Sequence, residues 1–195
     1  MANCKQTFLN NCIGALFSVS DIKVKPLKRK PTAPFTTSTL QQEASRKLYF
    51  SVAKTMNMAQ RLYEAGLITY MRTDSVNLSN EARKSAEAEI NKAYGSQYSN
   101  ERNYTGKSKG AQEAHEAIRP TSFKMPPKKI KQYLDDDQYR LYEMIWSRTV
   151  ASQMANVLLE SVSVEIATPD QKNVFKAVGS TVIFDGFYKL YQEGR

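Results

Sequence analysis

Alternating apolar and polar positions occur at both ends of the chain, whereas its middle has the three-to-four-residue spacing of helices. Near the start, Phe17, Val19, Ile22 and Val24 alternate with polar neighbours, and the alternation slips once near Asp21. This pattern predicts a strand. We expect the first dozen residues to be only part of a strand segment.

A basic segment with three prolines follows, at residues 25–35. Proline has no backbone N–H to donate, so Pro26, Pro31 and Pro34 predict an extended linker without regular strand pairing. Strand alternation returns near the end of the chain. It predicts three strands, which cover residues 157–167, 173–184 and 187–191.

Helical spacing and capping residues predict the middle elements. Ser51 and Gly66 bound the second of these helices, and Ser79 and Gly95 bound the third. The segment 67–73 is short and β-branched, which indicates a strand or an extended loop. The expected helices cover residues 36–48, 51–66, 79–95, 111–120 and 135–155.

The order of elements predicts an α+β fold. We expect a helical domain, whose first two helices resemble a helix-turn-helix, inserted into a β-rich hinge domain whose two ends meet in space. The predicted parts are residues 1–35 (β domain and basic linker), 36–155 (the helical domain, which contains Tyr70) and 156–195 (the rest of the β domain).

Charge suggests a polyanionic partner. The net charge is +9, and residues 1–35 carry six Lys or Arg against one acid, while residues 36–155 carry eighteen against thirteen. Such an excess is typical of nucleic-acid binding but also occurs on ordinary solvated faces. No apolar run is long enough to span a membrane, and the two cysteines have no metal-binding or required pairing pattern.

Several catalytic motifs are incomplete. The stretch HEAIR at 115–119 lacks the second His of a zinc-protease helix, and TGKS at 105–108 lacks the first glycine of a phosphate-binding P-loop. The acids at 135–137 are explained by the positive end of the helix they precede. These observations exclude the metalloprotease and P-loop classes.

Tyr70 stands among phosphate-binding side chains. A neutral phenol is a poor nucleophile at pH 7, and a nearby cation favours its ionised form. In an extended segment Arg72 points to the same side as Tyr70, and its planar fork suits two phosphate oxygens. Thr69, Thr73 and Ser75 add small donors. A packing role, which is the usual one for a single tyrosine at a helix–strand junction, remains open at this point.

His115 and Arg119 form a second cluster. They are four residues apart, so on a helix they share one face, and both can donate to a phosphate. A structural role for each residue stays open, so the residues alone indicate a basic helical domain for which nucleic-acid binding is one candidate function.

Three stretches in one order resemble the type IA DNA topoisomerases of bacteria. They are PFTTSTLQQEASRKL, MNMAQRLYEAGLITYMRTDSVNLS and QEAHEAIRPT, and the similarity runs over about residues 34–122. The stretches at 141–155 and 180–191 resemble the same family more weakly.

The resemblance implies that Tyr70 is the nucleophile. In this family a tyrosine attacks a phosphodiester of single-stranded DNA, forms a 5′-phosphotyrosine link and releases a 3′-hydroxyl. Another strand passes through the gap before resealing, so negative supercoils are relaxed without ATP. The matching Arg72 would position the phosphate and stabilise its charge. The matching residues that would contact or support the DNA are His115, Arg119, Thr73 and Asp74.

The sequence also departs from the family pattern. The family has a Toprim domain with a D-x-D-x-E magnesium site, and the closest stretch here, from Asp135, has Tyr139 in place of the glutamate. We therefore expect a fragment, with no cofactor of its own and with magnesium bound by the missing Toprim domain. Its partners would be single-stranded DNA and the rest of the polypeptide, in the cytoplasm at the nucleoid. The isolated fragment should not relax DNA.

Two other function classes remain. One is a non-catalytic nucleic-acid-binding module that uses the helix-turn-helix-like pair. The other is a structural or protein-contact domain. Covalent trapping distinguishes them from the enzyme, because only the enzyme leaves a phosphotyrosine after denaturation.

Overall fold

The computed structural model describes residues 2–104, 116–168 and 171–192. Within these ranges the chain contains six α-helices and three β-strands, which confirms the α+β class. The helices are α1 (Ala2–Cys12), α2 (Thr37–Leu48), α3 (Val52–Glu64), α4 (Asn80–Tyr94), α5 (Pro127–Ile130) and α6 (Asp136–Ser152). The strands are β1 (Ser18–Arg29), β2 (Val157–Ala167) and β3 (Val174–Phe184).

The elements form two compact units. One contains α1 and the three strands, and the other contains α2 to α6 together with the segment from Asp185. No helix in the described ranges is long and apolar enough to cross a membrane.

The strand unit is an antiparallel sheet in the order β1-β2-β3. Strand β1 from the first part of the chain therefore shares a sheet with β2 and β3 from its last part, as predicted. The slip near Asp21 is confirmed, because the register of β1 against β2 shifts between Val19 and Asp21. The prediction that prolines stop pairing was wrong at Pro26, which lies opposite Glu160. Since β1 is an edge strand, it tolerates a residue that has no N–H to donate.

The first residues form α1, so the expected strand segment there was wrong. Phe8 and Cys12 are the less exposed positions of its described part, and they are four residues apart, as on one face of a helix. The ring of Phe8 lies 6.1 Å from that of Phe175 on β3, which gives the helix an apolar contact.

The helical unit is built around a core shared by its longer helices, and its helix ends match the capping residues seen in the sequence. The Ser51 and Ser79 side chains accept hydrogen bonds from the first turns of α3 and α4, and α4 ends at Gly95. The fully buried aliphatic side chains of the core include Leu40, Leu62, Ile90, Leu141 and Ile145.

Two predicted elements differ in this unit. The strand expected at 187–191 is a short 3-10 helix, Gly186–Lys189, because Phe187 and Tyr191 are both buried at helical spacing. Of the helix expected at 111–120, residues 111–115 lie outside the described residues and the remainder is extended. Ile118 there forms an isolated bridge with Phe35, and Pro120 forms one with Ile68.

Candidate active site around Tyr70

Tyr70 lies in the loop between α3 and α4. The loop begins after Gly66, whose positive φ of 69° turns the chain out of the helix. Ile68 and Met71 are 1% and 2% exposed and fix the loop to the core, whereas Tyr70 between them is 47% exposed. The loop therefore holds two apolar anchors inside the protein and presents one phenol to solvent.

An extended segment, residues 117–121, holds the loop on one side of Tyr70. The backbone N–H of Thr69 donates to the Arg119 carbonyl at 2.9 Å, and the Arg119 N–H donates to the Thr69 hydroxyl at 3.0 Å. That hydroxyl donates in turn to the Ala117 carbonyl at 2.7 Å. Further along, the Thr121 N–H donates to the Leu67 carbonyl at 3.0 Å.

The first turn of α2 holds the loop on the other side. The Thr37 hydroxyl donates to the Met71 carbonyl at 2.8 Å and accepts from the Thr73 N–H at 2.9 Å. The Thr37 N–H donates to the Thr73 carbonyl at 2.9 Å. The backbone is thus fixed immediately before and after Tyr70, and such support holds a reactive group in a defined position.

The aromatic ring of Tyr70 has one aromatic neighbour among the described residues, Tyr63 of α3. The two ring centroids are 5.3 Å apart and the planes meet at 67°, an edge-to-face arrangement. The Tyr70 hydroxyl forms no hydrogen bond with the described part of the chain. Its oxygen is therefore available to a ligand that approaches from solvent.

Arg72 and Asp74, which follow Tyr70 in the chain, are both exposed. Within the described ranges the Arg72 guanidinium has no ion pair or hydrogen bond, so its charge is uncompensated there. The chain bends at Met71 and Arg72, so the simple alternation of an extended strand does not set their directions. Thr73 is partly buried, and its hydroxyl accepts from the Ser75 N–H at 3.1 Å, which makes it a loop residue in this structure.

Arg119 is engaged by a neighbouring carboxylate. Its guanidinium donates twice to Glu116, at 2.6 and 3.1 Å, and the other oxygen of Glu116 accepts from the Ser79 N–H at 2.8 Å. Burial would raise the pKa of Glu116, but the hydrogen bonds from Arg119 and Ser79 outweigh it and hold that pKa below its usual range. The pair therefore joins the extended segment to the start of α4.

Of the second cluster predicted from the sequence, only Arg119 lies in the described residues. His115 lies outside the described residues, and Glu116 to Arg119 are not helical, so no shared helix face is present over these four positions. Sequence reasoning missed Thr37, Tyr63 and Glu116. Thr37 lies in a stretch recognised as a helix start and as one of the family-like stretches, but neither signal placed it against residues more than thirty positions away.

In the part of the chain that the structure describes, no three His, Cys, Asp or Glu side chains are grouped so that they could hold a metal ion. The residues around Tyr70 are hydroxyls, cations and a single exposed Asp74, which do not form a magnesium cage.

Comparison with known proteins agrees with the motif order. A family model described as DNA topoisomerase matches residues 2–195. DNA topoisomerase 1 of Rickettsia bellii is 51% identical over 187 residues, covering 91% of this chain and 23% of that protein. DNA topoisomerase 1 of Mycolicibacterium smegmatis is 50% identical over 186 residues, covering 92% of this chain and 20% of its own length.

A solved structure shows the same architecture. Full-length topoisomerase I from Thermotoga maritima matches with a TM-score of 0.83 and 38% sequence identity, over 97% of this chain and 34% of that chain. The chain thus spans less than a quarter of the two curated relatives and about a third of the solved one. Since the family model covers all but the first residue, the chain belongs to the DNA topoisomerase family.

Proposed function

We propose that the polypeptide containing this chain breaks and reseals one strand of DNA through Tyr70. The Tyr70 oxygen attacks a phosphodiester phosphorus, a tyrosine O–P bond forms, and the P–O3′ bond breaks. The phenol loses its proton, the departing 3′ oxygen gains one, and a 5′-phosphotyrosine remains. One phosphodiester is exchanged for another, so the reverse step reseals the strand without an energy source.

One observation carries the proposal: a half-exposed phenol stands on a loop whose backbone is hydrogen-bonded on both sides. A nucleophile works best when its position is fixed before the substrate arrives, because the cost of ordering it is then already met in folding. A tyrosine that served only packing would be expected to bury its side chain, as Ile68 and Met71 do here.

The neighbouring residues support the reaction in different ways. Arg72 is exposed and uncompensated within the described ranges, so we propose that it binds the phosphate and stabilises the charge that develops on it. His115 and Asp74 stay as predicted DNA contacts. Thr73 and Arg119 support the site as positioning residues, since their described contacts hold the loop and its flanking segment.

We propose that the complete site needs other parts of the polypeptide. Magnesium, which would neutralise phosphate charge, is assigned to residues outside this chain, in the Toprim domain expected from the resemblance. The substrate would be a single-stranded DNA segment, and the product of repeated cycles would be relaxed DNA. The bacterial relatives support placing this activity in the cytoplasm, at the nucleoid.

The non-catalytic helix-turn-helix alternative receives less support. In such modules the second helix reads DNA, and here that helix would be α3. Its Lys54 pairs with Asp137 at 2.6 Å and its Arg61 with Asp135 at 3.8 Å, both at the start of α6. The exposed cations of α3 are therefore partly neutralised by the protein itself.

Covalent trapping tests the proposal. The complete polypeptide is mixed with labelled single-stranded DNA and denatured, and the DNA that stays attached to protein is measured. We expect Tyr70→Phe to abolish the adduct and Tyr63→Phe, the matched change at the neighbouring ring, to retain it. An adduct that persists in Tyr70→Phe, with both variants folded, would place the nucleophile elsewhere.

A further inference from the structure

A row of lysines lies beyond the extended segment that supports Tyr70. Lys124, Lys128, Lys129 and Lys131 are all exposed, and Tyr133 after them is 75% exposed. No acidic residue occurs between Arg119 and Leu134 in the sequence. We call these four lysines with Tyr133 the lysine ridge.

The lysine ridge stands on a fixed support. Phe123, Pro127 and Ile130 alternate with the lysines and are buried. The Tyr142 hydroxyl on α6 donates to the Met125 carbonyl at 2.8 Å, which ties the segment to the longest described helix. The charges are therefore presented in a defined array, unlike those of a basic tail.

The lysine charges have no acidic partner in the described ranges. Lys129 donates only to the Lys124 carbonyl, at 3.4 Å, and the Lys131 ammonium lies 5.2 Å from the centroid of the Tyr139 ring. Elsewhere in this unit, the exposed Lys54 and Arg61 are paired with carboxylates. Exposed cations without acidic partners attract polyanions, and release of counterions from a bound phosphate chain favours the contact.

Tyr133 adds a contact that a simple charge patch lacks. An aromatic ring exposed among cations is the combination by which proteins hold single strands, because bases stack on the ring while the cations follow the phosphates. A double helix keeps its bases stacked inside and offers Tyr133 no free base face. The ring therefore favours a single strand over a duplex.

The ridge is also within reach of the candidate active site. Thr121 is hydrogen-bonded to Leu67 of the Tyr70 loop, and Lys124 follows Thr121 by three residues. Three residues span at most about 11 Å between Cα atoms. A strand held at Tyr70 can thus reach Lys124, the near end of the lysine ridge, within a few nucleotides.

We propose that the lysine ridge is a second contact for the single-stranded DNA that is cleaved at Tyr70. The lysines bind consecutive phosphates, and Tyr133 stacks on a base. This proposal rests on the proposed function in one respect, namely that the bound strand is the one cleaved at Tyr70. The lysine ridge would bind a single strand whether or not Tyr70 reacts.

Equilibrium binding to a fluorescent 30-nucleotide single strand tests the lysines. The complete polypeptide carries Tyr70→Phe, so that binding is measured without chemistry. Lys128→Gln with Lys131→Gln is compared with Lys84→Gln with Lys92→Gln, an exposed pair on α4 that lies among glutamates. Both variants lose the same charge, so net charge alone cannot separate them.

We expect the Lys128→Gln, Lys131→Gln variant to bind about 5-fold more weakly per lysine at 0.1 M salt. Its slope of log affinity against log salt should be smaller in magnitude by about 1.4, because each phosphate contact on a single strand contributes about 0.7. The α4 pair should leave the slope unchanged. Equal slopes for the two pairs would overturn the proposal. So would a ridge pair that loses binding to vesicles of phosphatidylserine while retaining the oligonucleotide.

Tyr133 gives an independent test in the same assay. Tyr133→Ala should weaken single-strand binding about 10-fold through the lost stacking, whereas Tyr133→Phe should retain it. Equal affinity of Tyr133→Ala, Tyr133→Phe and the protein with Tyr133 unchanged would contradict the stacking contact. Because the adduct assay is separate, a failure of Tyr70 as nucleophile and a failure of the ridge give different results.

Discussion

At the scale of single residues, the site separates anchoring from reactivity. Ile68 and Met71 fix the loop by burial, Thr37 and Thr69 fix its backbone by hydrogen bonds, and Tyr70 keeps its hydroxyl in solvent. The hydroxyls of the two threonines are used inside the protein, although the sequence suggested that Thr69 was a phosphate donor. We propose that both threonines contribute to the reaction by holding Tyr70 in place.

Replacing Thr37 tests this division of roles. Thr37→Val keeps the shape but removes the hydroxyl, which leaves the Thr73 N–H and the Met71 carbonyl without that partner. We expect a loss of about 1–3 kcal/mol in the free energy of unfolding and slower formation of the DNA adduct. Thr37→Ser, which retains the hydroxyl, should restore the adduct rate. Urea unfolding and single-turnover trapping measure the two effects, and a normal adduct rate in Thr37→Val would contradict the anchoring role.

Glu116 makes a pH-dependent contribution to stability. Its pKa in the folded protein is below the usual 4.5, because the hydrogen bonds from Arg119 and Ser79 overcome the effect of burial. Below pH 4.5 the unfolded chain therefore binds more protons at this position than the folded one, and the free energy of unfolding falls as the pH falls towards the folded pKa. Urea unfolding between pH 6 and pH 3 should show a shallower decline for Glu116→Gln than for the unchanged protein. An identical decline would exclude this contribution.

At the scale of elements, the sequence predicted the parts that local signals govern. The helix starts at Ser51 and Ser79, the helix end at Gly95 and the bounds of β2 follow from capping residues and alternation. Tyr70 was singled out because the stretch around it resembles a family motif, and its role as nucleophile stays a prediction.

The rest depends on contacts between distant residues. Pro26 stays in a strand because β1 is an edge, and the segment after Gly186 coils because Phe187 and Tyr191 turn into the same core. Likewise, Thr37 meets the Tyr70 loop across 34 positions and Glu116 meets Ser79 across 37. Neither proximity has a signal in a single sequence.

Among the glycines in the described residues, Gly186 has the closest backbone neighbours. Its φ is 47°, and a Cβ atom there would lie 2.3 Å from the Asn156 carbonyl oxygen, whereas Gly66 has a φ of 69° and open space around it. Gly66→Ala should lower the free energy of unfolding by about 1–2 kcal/mol through backbone conformation alone. Gly186→Ala should lower it clearly more, because backbone atoms must also move. Thermal or urea unfolding of both variants checks the order, and equal losses would contradict it.

At the scale of the whole molecule, we propose that this chain supplies the nucleophile and that the reaction also needs other parts of the polypeptide. It covers less than a quarter of its curated relatives, and its described residues contain no metal-binding group of side chains. The positive charge is concentrated before residue 156. We propose that this chain supplies the attacking oxygen, Arg72 and the lysine ridge, and that the magnesium site expected from the resemblance lies in the rest of the polypeptide.

The most direct test is to identify the amino acid that becomes attached to DNA. The complete polypeptide is trapped on a single-stranded oligonucleotide, digested with nuclease and trypsin, and analysed by mass spectrometry. Trypsin releases residues 62–72, LYEAGLITYMR, which contain both Tyr63 and Tyr70. Fragment ions should place the nucleotide remnant on Tyr70 and leave Tyr63 unmodified. A remnant on Tyr63, or on any other peptide, would contradict the central claim.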